Sequence, residues 1–161
     1  MTIQTFFVTA ALAVLPISEL RGALPYALVK GMSLPLAYLY TVGLNALVAP
    51  VGYLFLSTLH GWFMRFGWYE RLFTKLIGRA RERVGKEVEK YGYLGLALFV
   101  AIPLPITGAY TGTLGAWVLG MKPRKAVPII MAGVAVAGVI VSLVMVLGIE
   151  ALSIFVKQPE L

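Results

Sequence analysis

The apolar positions of this chain fall into long and short runs, and their lengths divide it. Leu34–Leu59 and Ala126–Gly148 are long. Each can supply the ~20 residues of a membrane-crossing helix. Ile3–Leu15, Gly22–Val29, Gly92–Ala101 and Gly108–Leu119 reach about half that length, and they pair around two breaks. The first break is Leu15-Pro16-Ile17-Ser18-Glu19-Leu20-Arg21-Gly22-Ala23-Leu24-Pro25; the second is Ile102-Pro103-Leu104-Pro105-Ile106-Thr107-Gly108. Proline lacks the donor that a helix interior needs, so neither pair reads as one straight helix. Each predicts a re-entrant hairpin that enters the bilayer, turns at mid-depth and leaves by the same side. Non-helical backbone at that depth must be buried in protein or line a wet cavity.

Residues 60–91 are polar and join the two halves. Phe73, Ile77, Ala80, Val84 and Val88 recur at intervals of three and four, which is one face of a helix. Trp62, Phe63, Phe66, Trp68 and Tyr69 precede that face as an interfacial aromatic belt would. The pattern predicts an amphipathic helix on the membrane surface. In the first long run Pro35 suits a helix start, while Pro50 predicts a kink. In the second, Gly133 and Ala137 form a small-xxx-small step for close helix packing.

The order of elements repeats. Placing Gly31-Met32 on Gly120-Met121 puts Pro16 on Pro105, Ser18 on Thr107 and Ala37 on Ala126. The expected fold is an all-α polytopic membrane protein forming one membrane domain. Repeat one covers 3–59, the connector 60–91, repeat two 92–149 and a short tail 150–161. A hairpin that returns to its own side leaves the connector and the Lys122–Lys125 turn on one face. Both termini and the Lys30 turn lie on the other. The basic residues gather on the connector side, which is therefore expected to be cytoplasmic in the cell membrane. The repeats then have inverted topology, a design that transporters use to place broken helices at the midplane. A six-span arrangement has the same sidedness; the short segments favour hairpins.

Composition narrows the chemistry. Of 161 residues 60% are hydrophobic and 13% charged, with a mean hydropathy of +0.87. So few charges cannot cover a water-exposed surface. There is no cysteine and one histidine, His60, which leaves no thiolate chemistry and no metal cluster. No cofactor is expected. The net charge of +7 follows from the basic connector and calls for membrane lipids as partners, not nucleic acid. Residues 1–5 lack the Lys or Arg of a signal sequence and no A-x-A site closes the first apolar run, so that run is expected to be retained. No nucleophile-base arrangement or phosphate loop points to an enzyme.

The candidate chemistry sits in the breaks. A carboxylate deep in the bilayer costs about 2.5–3.5 kcal/mol, so Glu19 is the leading candidate for proton coupling or substrate binding, with an ion pair to Arg21 as the alternative. Arg21 suits an anion or the neutralisation of Glu19. Asn45, the one strongly polar side chain in the middle of its span, is either a substrate ligand or interhelical glue. Ser18 and Thr107 either expose backbone groups or cap the helices that follow. Pro16, Gly22, Pro25, Pro103, Pro105 and Gly108 shape the tips. Gly108 allows close backbone approach. Tyr110, Thr111 and Thr113 either line a polar path or pack.

Pro16-Ile17-Ser18-Glu19-Leu20-Arg21-Gly22-Ala23-Leu24-Pro25 resembles the first signature of the small multidrug export proteins. So does the run from Gly85-Lys86 through Glu89-Lys90-Tyr91-Gly92 to Ile102-Pro103-Leu104-Pro105-Ile106-Thr107-Gly108-Ala109-Tyr110-Thr111-Gly112. The arrangement is also similar to the DedA superfamily, whose two re-entrant hairpins are associated with proton-linked transport and lipid translocation. That resemblance implies an acidic residue in the first hairpin, matched by Glu19. It also implies an arginine pair in the second, where this chain has Ala101 and Thr107.

Together these features predict a secondary transporter, proton-coupled, that moves a small or amphiphilic substrate through a midplane site between the two tips. A lipid flippase or scramblase, including one for polyprenyl-phosphate lipids, is the alternative. A non-transporting assembly protein is the third reading. A monomer this small cannot readily bury both tips, so a homodimer is expected.

Overall fold

The computed structural model describes residues 2–104 and 107–156, with side chains described as far as Val146 and Leu147 at the end of the second apolar run. Among the described residues every regular element is an α-helix. In order these are α1 (Ile3–Val14), α2 (Glu19–Val29), α3 (Leu34–Ala46), α4 (Val48–Thr58), α5 (His60–Phe63), α6 (Gly67–Tyr91), α7 (Tyr93–Ala101), α8 (Ala109–Val118) and α9 (Pro123–Val156). Among the described residues two stretches are long and apolar enough to cross a membrane, Leu34–Thr58 and Pro123–Gly148. The last helix continues into the stretch read as a tail, reaching Val156.

Prolines set the breaks. Leu15 before Pro16 and Ile102 before Pro103 both leave helical geometry for extended backbone, with ψ of 131° and 115°. The proline ring disfavours helical backbone in the residue before it. Pro35 sits in the first turn of α3, where its missing N–H costs nothing. Pro50 cannot bond the Ala46 carbonyl, and the first span is interrupted at Leu47, between α3 and α4.

In the first pair α1 packs along α2, whereas α7 and α8 meet over a small contact, α7 lying mainly on α9 and α6 and α8 on α6 and α4. Helix α9 holds the halves together, packing on α2, α3, α7 and α8. Its core residues Ala126, Ile130 and Val134 meet Leu96, Val100, Ala109 and Ala116. The small-xxx-small step serves this packing. A Cβ on Gly133 would lie 2.8 Å from Val100 Cβ, and Ala137 packs with Leu20 and Leu24 of α2.

The hairpin exits are built alike. Gly31 and Gly120, 89 positions apart, both have positive φ (+84° and +67°). At each, the residue after the glycine closes a Schellman-type end: the Met32 N–H donates to the Ala27 carbonyl, and the Met121 N–H to the Ala116 carbonyl, both at 2.9 Å. The turn inside the breaks recurs at the same offset. The Ser18 N–H donates to the Leu15 carbonyl and the Thr107 N–H to the Leu104 carbonyl, both at 3.2 Å. Ala37 and Ala126 are both fully buried.

Helix α6 buries Phe73, Ala80 and Val84, members of the periodic face. That face is covered by α7 and α8, where a membrane surface was expected. A Cβ on Gly115 of α8 would run into the Val84 side chain, which shows how close the packing is.

Candidate functional site

The two breaks meet, and the charges of the first are spent on the second. Glu19 opens α2 with a φ of +49°, the one positive φ at a non-glycine among the described residues. Such left-handed backbone costs an ordinary residue on the order of 1–3 kcal/mol and persists only where its surroundings impose it. The Glu19 side chain is 7% exposed, and its Oε1 accepts a hydrogen bond from the Tyr110 backbone N–H at 3.3 Å. It thus takes one of the unpaired donors in the first turn of α8, at the positive end of that helix. Gly108 makes room: a Cβ there would overlap the Glu19 carboxylate, and its φ of +141° is glycine backbone.

Arg21 clasps the same break. Its guanidinium donates through Nη1 to the Leu104 carbonyl and through Nη2 to Thr107 Oγ1 at 3.2 Å. Thr107 closes the turn itself. Its Oγ1 accepts from the Leu104 N–H at 3.1 Å, and its hydroxyl faces the Ile102 and Leu104 carbonyls at 2.7 and 2.9 Å. Thr107 therefore organises the turn before the Gly108 N-cap of α8. Ser18, half-buried at the start of α2, makes no capping bond with its side chain. Its Oγ fills the space a Cβ on Gly22 would need.

Asn45 is 1% exposed and donates from Nδ2 to the Ala13 carbonyl at 2.9 Å. The Tyr110 hydroxyl donates to the next carbonyl, Val14. The last carbonyls of a helix have no partner within it, so α3 and α8 supply them for α1. Sequence reasoning missed these acceptors, as it missed the Leu104 carbonyl. Backbone atoms at a helix end carry no residue signature; the signal available was a buried amide and a phenol flanking an interrupted helix.

Three spaces surround this junction. Glu19, Arg21 and Asn45, with Gly108, Val134 and Ala137, line a cavity of about 10 Å³, the size of one water. An apolar groove of about 460 Å³ runs along α8 between α4 and α6, walled by Val51, Phe55, Phe73, Leu76, Tyr110 and Leu114. Thr113 also lines it, but its hydroxyl donates to the Ala109 carbonyl at 2.6 Å, so its methyl group is what remains for contact. Thr111 is half-buried and lies outside that wall. A vestibule of about 650 Å³ with one charged and one largely apolar wall lies between α6 and the second break, lined by Glu82, Arg83, Lys86 and Glu87 opposite Leu98, Ile102, Leu104 and Thr107.

Of the tip-shaping prolines, Pro16 is exposed, Pro25 is half-buried inside α2 and Pro103 is half-buried. Pro105 lies outside the described residues. Beyond the spans, His60 packs edge-on and tilted among Phe73, Tyr69 and Trp117, with Nδ1 3.0 Å from the Tyr69 hydroxyl. Burial holds the His60 imidazole below its ordinary pKa and pushes the Tyr69 phenol up. This cluster ties the end of α4 to α6 and α8. Among the described residues no group of three or more His, Cys, Asp or Glu could hold a metal ion.

No curated protein and no solved structure matches the chain. The sequence model of the small multi-drug export protein family matches residues 19–140, from the buried carboxylate of the first break through most of α9, and the chain belongs to that family.

Proposed function

We propose that the chain is a proton-coupled secondary transporter of the cell membrane, built from two inverted repeats. In each repeat a re-entrant hairpin precedes a spanning helix. The hydrogen bonds that recur 89 positions apart at the breaks and hairpin exits support the repeat. The short helices support re-entry: α1, α2, α7 and α8 have 12, 11, 9 and 10 residues, roughly 14–18 Å, against a hydrocarbon core of about 30 Å. The connector faces the cytoplasm and both termini the opposite side.

One observation carries the functional reading. Glu19 and Arg21, from one hairpin, each bond the tip of the other around a cavity with room for one water. A carboxylate that bridges two tips can couple its proton to their separation. With both tips bonded in this way the site is shut. Proton binding at Glu19 weakens its hold on the α8 N-terminus, and a substrate cation takes the proton's place. Arg21 and Thr107 position the tips. Asn45 keeps the end of α1 in register.

The test is uptake of ethidium, a lipophilic cation, by proteoliposomes of the purified protein under an imposed pH gradient. Glu19→Gln keeps the shape and an acceptor for the Tyr110 N–H but cannot cycle a proton. Uptake driven by the gradient is expected to vanish in that variant while its fold persists. Gradient-driven uptake at the wild-type rate would overturn the proposal.

The apolar groove along α8 favours a second reading, translocation of a membrane lipid or other long-chain amphiphile. Movement of a fluorescent lipid between leaflets without any ion gradient would establish it. Exposed apolar side chains at both tips, Leu15, Ile17, Ile102 and Leu104, support a homodimer in which a second protomer covers them.

A further inference from the structure

The vestibule beside the second break has two unlike walls. Glu82, Arg83, Lys86 and Glu87 form one of them, from a single stretch of α6. The two cations stand one helical turn apart, with a carboxylate before and after them in sequence. This wall therefore carries ions of both signs and no net charge. Leu98, Ile102 and Leu104 stand on the other wall, each about half exposed. Water suits the first wall and leaves the second wetted at a cost. Hydrocarbon suits the second wall and leaves the first without polar partners. The charges can also neutralise one another, Glu82 with Lys86 and Arg83 with Glu87 at a spacing of four, but exposed helical pairs of this kind are weak and yield to a ligand.

We infer that the vestibule binds a phospholipid with a phosphoethanolamine head: the phosphate on Arg83 and Lys86, the ammonium on Glu82 or Glu87, and an acyl chain along Leu98, Ile102 and Leu104. Arginine and lysine hold phosphate through charge-assisted hydrogen bonds, and a primary ammonium offers three donors to carboxylates. The phosphate and ammonium of this head are two carbons apart, a reach comparable with the ~5–6 Å between neighbouring side chains on a helix. A purely anionic head would meet two carboxylates it repels. The space of about 650 Å³ is of the size that small-molecule sites have, about 300–1,000 Å³. The lipid is a resident ligand, not the transported molecule. It joins α6 to the break that Arg21 clasps at Leu104 and Thr107. Its binding does not depend on the proton chemistry proposed for Glu19, which lines a different cavity.

Native mass spectrometry of the purified protein in detergent tests this, with dioleoyl phosphatidylethanolamine and dioleoyl phosphatidylglycerol added in equal amounts. The second lipid keeps the phosphate and the chains and lacks the ammonium. Wild-type protein should retain the ethanolamine lipid roughly fivefold over its competitor, the upper worth of an exposed ion pair. Glu82→Gln/Glu87→Gln should abolish or reverse that preference. Arg83→Gln/Lys86→Gln should lower the retention of both lipids. Arg71→Gln/Lys75→Gln removes two exposed cations elsewhere on α6 and, as the control, should behave as wild type. Size-exclusion profile and helical circular dichroism establish that each variant is folded. Equal retention of the two lipids by wild-type protein would overturn the inference. So would a preference that survives Glu82→Gln/Glu87→Gln, or one that is lost in the control. The same spectra report oligomeric state: a dimer that retains no phospholipid would put a second protomer over Ile102 and Leu104, and would overturn it too. Glu19→Gln protein should bind lipid as wild type does, so a failure of ethidium transport counts against the proposed function and leaves this result to be read separately.

Discussion

Glu19 and Gly108 explain one another. In the register that pairs Gly31 with Gly120, they occupy equivalent positions of the two breaks. The side chain of one fills the place where the other has none. Glu19 was legible from the sequence because a carboxylate deep in an apolar chain is expensive. Gly108 was legible as a place of close approach; what approaches it was not, because the contact joins residues 89 positions apart. Ser18 and Thr107 show the limit of local rules. Both looked like caps, and one spends its hydroxyl inside a turn while the other makes no capping bond. Gly108→Ala tests the pairing. The new methyl group needs the volume of the carboxylate, on backbone that L residues avoid, so a loss of about 1–3 kcal/mol is expected. The measurement is thermal unfolding in detergent. The double variant Gly108→Ala/Glu19→Ala should recover part of that loss, since the overlap is gone and the backbone strain at 108 remains. Equal losses in the single and double variants would show that the carboxylate does not occupy that space.

At the scale of elements, the interval pattern of α6 was legible and its partner was not. Spacing of three and four says that one face of a helix is apolar. It does not say whether lipid or protein covers that face. The answer lies in Gly95 and Gly115, which let α7 and α8 approach so closely that α6 docks on the second hairpin. A Cβ on Gly95 would run into the Glu87 carbonyl and lie 3.1 Å from the Val88 nitrogen. Backbone of a regular helix cannot yield as a side-chain end can. Gly95→Ala should therefore loosen α6 from α7, whereas Gly78→Ala, with nothing within 4 Å, should leave the docking intact. Limited trypsin digestion reads the difference, because Arg79, Arg81 and Arg83 lie on the docked segment. Overpacking typically costs about 1–3 kcal/mol, which corresponds to cleavage roughly 5- to 150-fold faster in Gly95→Ala. Cleavage at the same rate in both variants would mean that α6 is not held through this contact. The aromatic cluster around His60 anchors the base of the same element, so opening is expected to begin at the α7 end.

At the scale of the whole molecule, the unusual feature is where apolar surface is left uncovered. Ile17 is 98% exposed at the first break, between Pro16 and the buried Glu19. An isoleucine so exposed is costly in water and costs nothing among lipid tails or against a second protomer. Its depth in the membrane is therefore diagnostic. If the first hairpin is re-entrant, Ile17 lies near the midplane; if α1 and α2 both span, it lies at the cytoplasmic surface with the connector. Charge bias could not separate these arrangements, because both put Lys30 on one side and Lys122 on the other. Helix length favours the hairpin, since α1 has 12 residues where a straight span needs ~20. Single cysteines at the exposed positions Lys30 and Lys122 should react with an impermeant maleimide from opposite sides of the membrane. A cysteine replacing Ile17 should react from neither side, yet a spin label attached to it should be relaxed by oxygen, which concentrates in the hydrocarbon, more than by a water-soluble nickel chelate. Rapid maleimide reaction of that cysteine from the side of Lys122 would require α1 and α2 to span, and would move Glu19 out of the bilayer interior. Protection from both maleimide and oxygen would place Ile17 in a protein interface, with the homodimer as the means of covering both tips.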